Sequence, residues 1–491
     1  MPRLPIAPRL SPKPIAAALI GIFALAPLEA LAVKMVGNCN DSGPGSLRQA
    51  LLDAAEGELV DATGLPLVCS KISLTSTLLI VANDAQTISG PGSDKLTIDA
   101  AALSGSPVFS HNRTGTLEID HVAVVNGTKY RNEGTSDGGC ITSQGNLKLD
   151  HVLVSNCTVT AKMPVQHARG GAIYAAGYVK LTQSVVSDSS THAMYKTYGG
   201  GVYAKGGVTI DHSTISGNTA DSGGGIFAKT DLQITSSTIS DNTADNGGGI
   251  YAKTDLQITS STISGNTAVE LGGGFMTHGS LQMTDSTVSN NTAHLSGGFD
   301  VAFQATVSKD SFIRNSTITG NTIDATFSAA AAEIGVPITI SNSTIAFNIA
   351  ANSIHEGALY ALGGSMTLQS SIIAENYPFD VGVQTGTVVE GSNNLSPNSK
   401  PNVMPQDTKP DCPLLEPLAY TGGPTATLAL KHNSPAINSG NNLVPLANDQ
   451  RGSGFPREFG AVDIGAWEWQ GGADDDIFHD GFSPLLGACH N

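Results

Sequence analysis

Three Asp-His pairs recur along this chain, Asp120-His121, Asp150-His151 and Asp211-His212, and they are the first residues whose chemistry asks for an explanation. A carboxylate beside an imidazole suits general acid-base work, but catalysis would require the pairs to converge on one cleft. Equivalent places in other units hold Thr182-Gln183, Thr235-Ser236 and Thr259-Ser260, so the reading favoured here is a polar surface position that opens a strand. Arginine is scarce: between residues 70 and 380 there are only Arg113, Arg131, Arg169 and Arg314, too dispersed to form a carboxylate-gripping fork from spacing alone. No Ser-His-Asp or Cys-His constellation stands out, and no CxxC or Cys/His spacing suggests zinc, so neither a cofactor nor a metal is expected. A second set is more regular. Tyr174, Tyr203, Phe227 and Tyr251 each follow an apolar residue after a glycine pair or triplet, and Lys205, Lys229 and Lys253 stand two places beyond the last three. If each points outward, aromatics and lysines form adjacent stripes: aromatic faces can pack on sugar rings, and ammonium groups can meet acidic ones. The same spacing is also satisfied by side chains that stack between strands merely to stabilise a sheet face.

The elements that must position these residues come from a repeat. The block starting at Gly223, GGGIFAKTDLQITSSTISDNTADN, is followed at Gly247 by GGGIYAKTDLQITSSTISGNTAVEL. The apolar residue after the glycines recurs at Ile141, Ile173, Val202, Ile226, Ile250, Phe275 and Phe299, with intervals of 32, 29, 24, 24, 25 and 24 residues. A period of this size means a solenoid. Each unit holds three short alternating runs, with Ile226 and Ala228, then Leu232 and Ile234, then Ile239 facing inward, and none is long enough for a helix. Three strands that pair with their counterparts on the next coil give an all-β, right-handed, single-stranded parallel β-helix. A leucine-rich repeat lacks its Leu signature and helical half here, and a propeller would need longer units. The asparagine closing each S-T-I-x-x-N unit, at Asn126, Asn156, Asn218, Asn242, Asn266, Asn291, Asn321, Asn348 and Asn376, is expected to form an internal hydrogen-bonded ladder, with Ser189 replacing it once. The extra residues Met163–Arg169 and Ala329–Val336 are expected to emerge as loops.

Five segments follow: a signal peptide over 1–32, an N-terminal cap over 33–68, β-helix repeats over 69–380, an irregular module over 381–470 and an acidic tail over 471–491. Arg3, Arg9 and Lys13 precede the apolar run Ile15–Pro27, and Ala30-Leu31-Ala32 offers a cleavage site. No later segment is apolar enough to span a bilayer. In the cap, Ser46 and Gln49 form a capping-box pattern, Leu47, Ala50, Leu51 and Ala54 a helical face, and Gly57 a stop. Six cysteines allow fifteen pairings; Cys39–Cys69, Cys140–Cys157 and Cys412–Cys489 are favoured as one bridge at each end and one in the body. The net charge is −17, and −19 once residues 1–32 are removed, which argues against nucleic acid and anionic lipid as partners.

Pro413–Gly440, Asp449-Gln450-Arg451-Gly452 and Asp463-Ile464-Gly465-Ala466-Trp467-Glu468 resemble the C-terminal region of bacterial choice-of-anchor Q proteins. The GGGI and STISGNTA units resemble the polymorphic outer-membrane-protein repeats found with it, and DSGPGSLRQAL is similar to the cap of the same group. The resemblance implies a bacterial protein, secreted or attached to the outer membrane. Only 21 residues follow Gln470, so the terminal barrel of an autotransporter is not expected. The reading reached is a surface scaffold for adhesion, envelope structure or glycan binding, with extracellular polysaccharide or another envelope protein as partner. A polysaccharide lyase or glycoside hydrolase is the alternative.

Overall fold

The computed structural model describes residues 33–65, 69–82, 85–131, 134–164, 166–302, 309–324, 329–351, 357–471 and Cys489. The signal-peptide reading of 1–32 and nearly all of the acidic tail lie outside these residues. Coils wind as a right-handed parallel β-helix, and three sheets run the length of the rod among the described residues. One sheet of twelve strands starts at the glycine corners (Ile226–Ala228 is typical), one of fourteen carries strands such as Leu232–Thr235, and a third of twelve carries strands such as Thr238–Ser240. They are called here the corner, long and threonine sheets. Pairing is parallel and in register from coil to coil: Ile226 lies on Ile250, Leu232 on Leu256 and Ile239 on Ile263. Like side chains therefore stack in columns along the core, which buries every one of these residues.

Besides the positive-φ glycine before the corner sheet, as at Gly223 and Gly247, two sharp bends per coil fix which residues the sequence tolerates there. The first, before the threonine sheet, holds His121, His151, Gln183, His212, Ser236 and Ser260, all with φ between 45° and 54°. The Asp-His pairs are thus turn residues: His, Asn, Asp and Ser enter this left-handed region more readily than bulky residues do. The second bend holds Asn126, Asn156, Asp188, Gly217, Asp241 and Gly265, with φ between 52° and 67°.

Asparagine stacking begins only at the residue after that second bend. From Asn218 to Asn376 each buried side chain meets the next: the Asn242 amide and its Nδ2 both donate to Asn266 Oδ1 at 3.0 Å, and Asn266 does the same to Asn291. Asp380, fully buried, closes the column by accepting from Asn376. Asn126 and Asn156 are not rungs of it. They occupy the bend one residue earlier, where Asn156 Nδ2 donates to Asn126 Oδ1 at 2.5 Å on the surface. Register explains the shift: Val154 lies on Val186 and Val186 on Ile215, so the ladder position of these coils falls on Cys157 and Ser189. A second ladder escaped the sequence reading. The serine opening each S-T-I run is buried, its amide donates to the next serine's Oγ (Ser213 to Ser237, Ser237 to Ser261), and its own Oγ donates to the carbonyl two residues back.

The helix Leu47–Asp53 lies on the first coil with Leu47, Ala50 and Leu51 buried. Ser46 Oγ accepts from the Gln49 amide, but the Gln49 side chain turns to Asp53, so half of the capping box forms and the helix stops before Gly57. All three favoured disulfides are present. At the other end, Val403 and Met404 pack against the core. The module beyond them turns back along the rod. Its Leu415, Leu428, Leu430, Ile464 and Trp467 form a small core with Ala346 and Ile372. Thr287 Oγ1 donates to Ala426 O at 2.6 Å, and Thr317 Oγ1 donates to Gln450 Oε1 at 2.6 Å, so this stretch of the threonine sheet is covered. Asp449-Gln450-Arg451-Gly452 and Asp463-Ile464-Gly465-Ala466-Trp467-Glu468 tie the module together. Arg451 binds Asp449 and the Glu468 carbonyl, and the fully buried Arg457 faces Glu468 at 3.6 Å.

Ala329–Val336 is not a loop. Ala331 takes the place of a corner glycine, its carbonyl accepting from Phe299 N as Gly298 O accepts from Phe275 N in the coil before, and Ala332–Ile334 is a corner-sheet strand paired to Phe299–Val301. Alanine is small enough to continue the pattern, which is why the strand was unreadable from the glycines alone.

Candidate functional site

Coils spanning 123–200 are longer than the four that follow because each leaves the threonine sheet for an extra strand pair before regaining its glycine corner. The outgoing strands Thr128–Arg131, Thr158–Ala161 and Ser190–Ala193 form one three-stranded sheet, and the returning Ser136–Asp137, His167–Arg169 and Lys196–Tyr198 form another. Met163–Arg169 belongs to this excursion, with Met163 exposed at its tip and His167–Arg169 as a strand. The result is a wall beside the corner sheet.

The outward column of the corner sheet runs Thr142, Tyr174, Tyr203, Phe227, Tyr251, Met276, Asp300 and Glu333. Its aromatic members point outward yet are covered: Tyr174 is 1% exposed, Tyr203 and Phe227 2%, Tyr251 9%. Their rings stack at 5.5, 5.3 and 5.2 Å, and Tyr198 from the wall meets Phe227 edge-on at 4.9 Å. Arg169, clamped by Asp137 through Nε and a terminal nitrogen at 2.7 and 2.9 Å, lies over Tyr174 and Tyr203. Burial opposes the Arg169 charge, and the Asp137 carboxylate more than restores it. No face of the stack is left open for a sugar ring, because the neighbouring rings and the wall already occupy both sides.

The lysines fare differently. Lys205, Lys229 and Lys253 are exposed, and among the described residues none makes an ion pair. Between them and the wall lies a groove of about 270 Å³ lined by His167, Arg169, Tyr198, Tyr203, Phe227, Lys229 and Lys253. That lining contains no carboxylate. The acidic residues that follow two of the lysines in sequence are engaged elsewhere: Lys309 reaches Asp231 at 3.7 Å and Asp255 at 3.1 Å. His167 Nδ1 is buried without a hydrogen-bond partner among the described residues, and Tyr195, 58% exposed, packs against the His167 ring at 5.2 Å. Lys129, beneath the wall, donates to Asp137 O and Thr142 Oγ1, and burial pulls its ammonium down to about 8. At the far side Lys253 Nζ donates to Tyr251 Oη (3.1 Å), which also meets His278 Nε2 at 2.7 Å. Burial, then Lys253, lowers the His278 pKa, which favours the neutral ring.

Two other places carry candidate chemistry. A larger hollow of about 670 Å³ sits beside the cap, but its charged lining is balanced, with Lys95 against Asp94. His121 on its rim and His151 stack at 4.5 Å, and each imidazole Nδ1 is tied to its own aspartate, as is that of His212. Asp300 and Glu333 lie on adjacent coils in the outward column. Burial, then Glu333, pushes the Asp300 carboxyl up to about 7. Sequence reasoning missed this pair because 33 residues separate its members, and it missed Arg169, His167 and Tyr198 because they lie in the excursions that interrupt the period.

Among the described residues no helix is long and apolar enough to cross a membrane. Residues 108–280 match the family described as right handed beta helix region. Among solved structures the chain is similar to a pectate lyase, Pel9A, at 13% identity and a TM-score of 0.32, over 74% of this chain and 88% of that one, a likeness too slight to bear on activity. No curated protein matches the chain in sequence. Repeat, register and family match agree that this is a right-handed parallel β-helix repeat protein.

Proposed function

We propose that the chain is a secreted or cell-surface β-helix scaffold whose basic groove holds an acidic extracellular glycan, in the service of adhesion or envelope structure. The observation that carries this reading is the groove itself: Lys229 and Lys253 stand beside His167 in a lining without a carboxylate, and Arg169 alone is paired, to Asp137 behind it, on a chain of net charge −17. A local reversal of sign draws a polyanion to one place and repels it elsewhere. Three disulfides suit an oxidising, extracellular setting. The leader-like N-terminus and the resemblance to choice-of-anchor Q proteins support export and a bacterial surface. In this reading the stripe of aromatics is chiefly a structural support, with Tyr203 and Phe227 forming the groove floor beside Tyr198 of the wall. The test is retention on immobilised polygalacturonate against a neutral dextran. The Lys229→Gln, Lys253→Gln double variant should lose at least fivefold in retention, and the binding of the unaltered chain should weaken with salt. Unchanged retention by a folded double variant removes the reading.

A hydrolase is the second reading, favoured by one observation. Asp300, its carboxyl pushed up to about 7 by burial and by Glu333 one coil on, forms with that glutamate the kind of carboxylate pair that general acid catalysis of glycoside cleavage uses. Release of reducing ends from an acidic polysaccharide, lost in Asp300→Asn, supports it. No release from pectate, alginate or a glycosaminoglycan ends it.

A further inference from the structure

The lysines of the groove stand one coil apart on the same face, and the backbone proves the register. Lys205 N donates to Ala175 O, Lys229 N to Ala204 O, Lys253 N to Ala228 O and His278 N to Ala252 O, all at 3.0–3.1 Å. The four positions therefore stand in a line parallel to the rod axis, with a rise of about 4.8 Å per step; Lys229 and Lys253 line the groove, Lys205 and His278 continue the line on either side, and Lys205 Nζ leans back over the Tyr174 ring. On either side the column changes character: Ala176 precedes it, its amide donating to Ser143 O, and Ala302 follows it, its amide donating to Thr277 O. The line is four positions long. The wall borders it over its first coils, with Arg169 clamped in place and the buried, partnerless His167 Nδ1 turned to the same groove. Lys309 occupies Asp231 and Asp255, the carboxylates nearest in sequence to Lys229 and Lys253, so they do not compete for the lysines.

We infer that the ligand is a linear polyuronate lying parallel to the solenoid axis, its carboxylates engaged one coil at a time by the ammonium groups of Lys205, Lys229 and Lys253 and, at the last position, by a hydrogen bond from the His278 ring, whose Nε2 is held by Tyr251 Oη; this rests on the glycan-binding reading above and specifies its substrate. His278 donates there as the neutral ring. The match is one of period. An extended 1,4-linked homopolyuronate carries one carboxylate on every ring, and each ring advances by roughly one coil's rise, about 5 Å. Lysine is a flexible point charge with three donors, suited to successive carboxylates whose orientation alternates along a twisting chain. A ligand crossing the rod at right angles would meet only one of the four groups. One whose charges lie much farther apart than a coil would leave some of them unused.

The experiment is a calorimetric titration of the full chain with uronate oligomers from dimer to hexamer, repeated on Lys229→Gln. Affinity should climb at least tenfold from dimer to tetramer and then level, because the line has four positions. Lys229→Gln interrupts the line in its middle and should return the tetramer to dimer-like affinity, with the circular dichroism spectrum unchanged. A hexamer that binds no more tightly than a dimer overturns the axial line while leaving the glycan-binding reading intact. Tight binding of a sulfated oligosaccharide with none of the uronates overturns the uronate inference and leaves the acidic-glycan reading standing, whereas failure of the uronate and sulfated oligomers alike overturns both.

Discussion

The coils over 123–200 and those over 213–377 solve the same inner corner with different residues. In the later coils an asparagine faces a corner glycine: a Cβ on Gly225 would come within 3.1 Å of the Asn242 side chain, and one on Gly249 within 3.0 Å of Asn266. The earlier coils put other pairs at the same two places, 17 residues apart each time. Ser189 stands opposite Ala172, and Cys157 is bonded to Cys140. Hydrogen bonding passes through this exchange unbroken, because Ser189 N donates to Asn218 Oδ1 and Cys157 N to Ser189 Oγ. The asparagine ladder therefore ends where the excursions begin, and a covalent rung takes over in the coils that carry the wall. Stacked identical units make a rod, whereas a groove needs units that depart from identity.

Perturbing the two regions should cost different amounts. The largest loss is expected in the later one. Asn266 donates to Ile239 O, Ser264 O and Asn291 Oδ1 and accepts twice from Asn242, so Asn266→Ala strands several buried polar groups. A cost of about 3–5 kcal/mol in chemical denaturation is expected. In the earlier region, Cys140→Ser with Cys157→Ser should cost about 3 kcal/mol, as expected for a closed loop of this size. Cys140→Gly with Cys157→Asn should recover most of that, since it writes the later coils' pair into the earlier ones. If the Gly/Asn pair is no better than the Ser pair, the equivalence of the two corners is wrong.

A third test uses pH at the end of the ladder. Burial pushes the Asp380 carboxyl up to about 6, although four donors surround it. Its folded pKa lies above the unfolded value near 4, so between the two the folded chain keeps a proton that the unfolded chain has lost. This contribution is largest below about pH 4 and disappears as pH rises through 6, a fall of about 2–3 kcal/mol. Asp380→Asn should flatten that slope in thermal melts taken from pH 4 to pH 7. The smallest effect belongs to the aromatic stack: Tyr174→Leu should cost about 1 kcal/mol and leave glycan retention untouched, because the ring is buried and lies outside the groove lining.

Much of the rod was legible because its cause is local and repeated. Identical spacing of Ile226, Ile250 and their kin forces like on like, and period-2 alternation chooses the faces. The disulfide pairs were reachable from position along the chain. Asn126 and Asn156 were misplaced because a letter was matched where register should have decided: the bend before the ladder also welcomes asparagine, since both need a residue that tolerates positive φ or bonds its own backbone. The aromatics were read correctly as outward but wrongly as accessible. Alternation says which face a side chain takes, while the wall that covers that face comes from Lys196–Tyr198 and His167–Arg169, segments that break the period. Arg169 illustrates the difficulty, because its partners Asp137, Tyr174 and Tyr203 lie on neighbouring coils and share no motif with it.

The division of labour between the two regions is open to one direct measurement, the amide hydrogen-exchange footprint of the full chain with and without a uronate hexamer. Added protection is expected at 167–169, 195–205, 229 and 253, with the coils beyond 299 unchanged. Protection centred on 299–383, or spread evenly along the rod, would contradict the account.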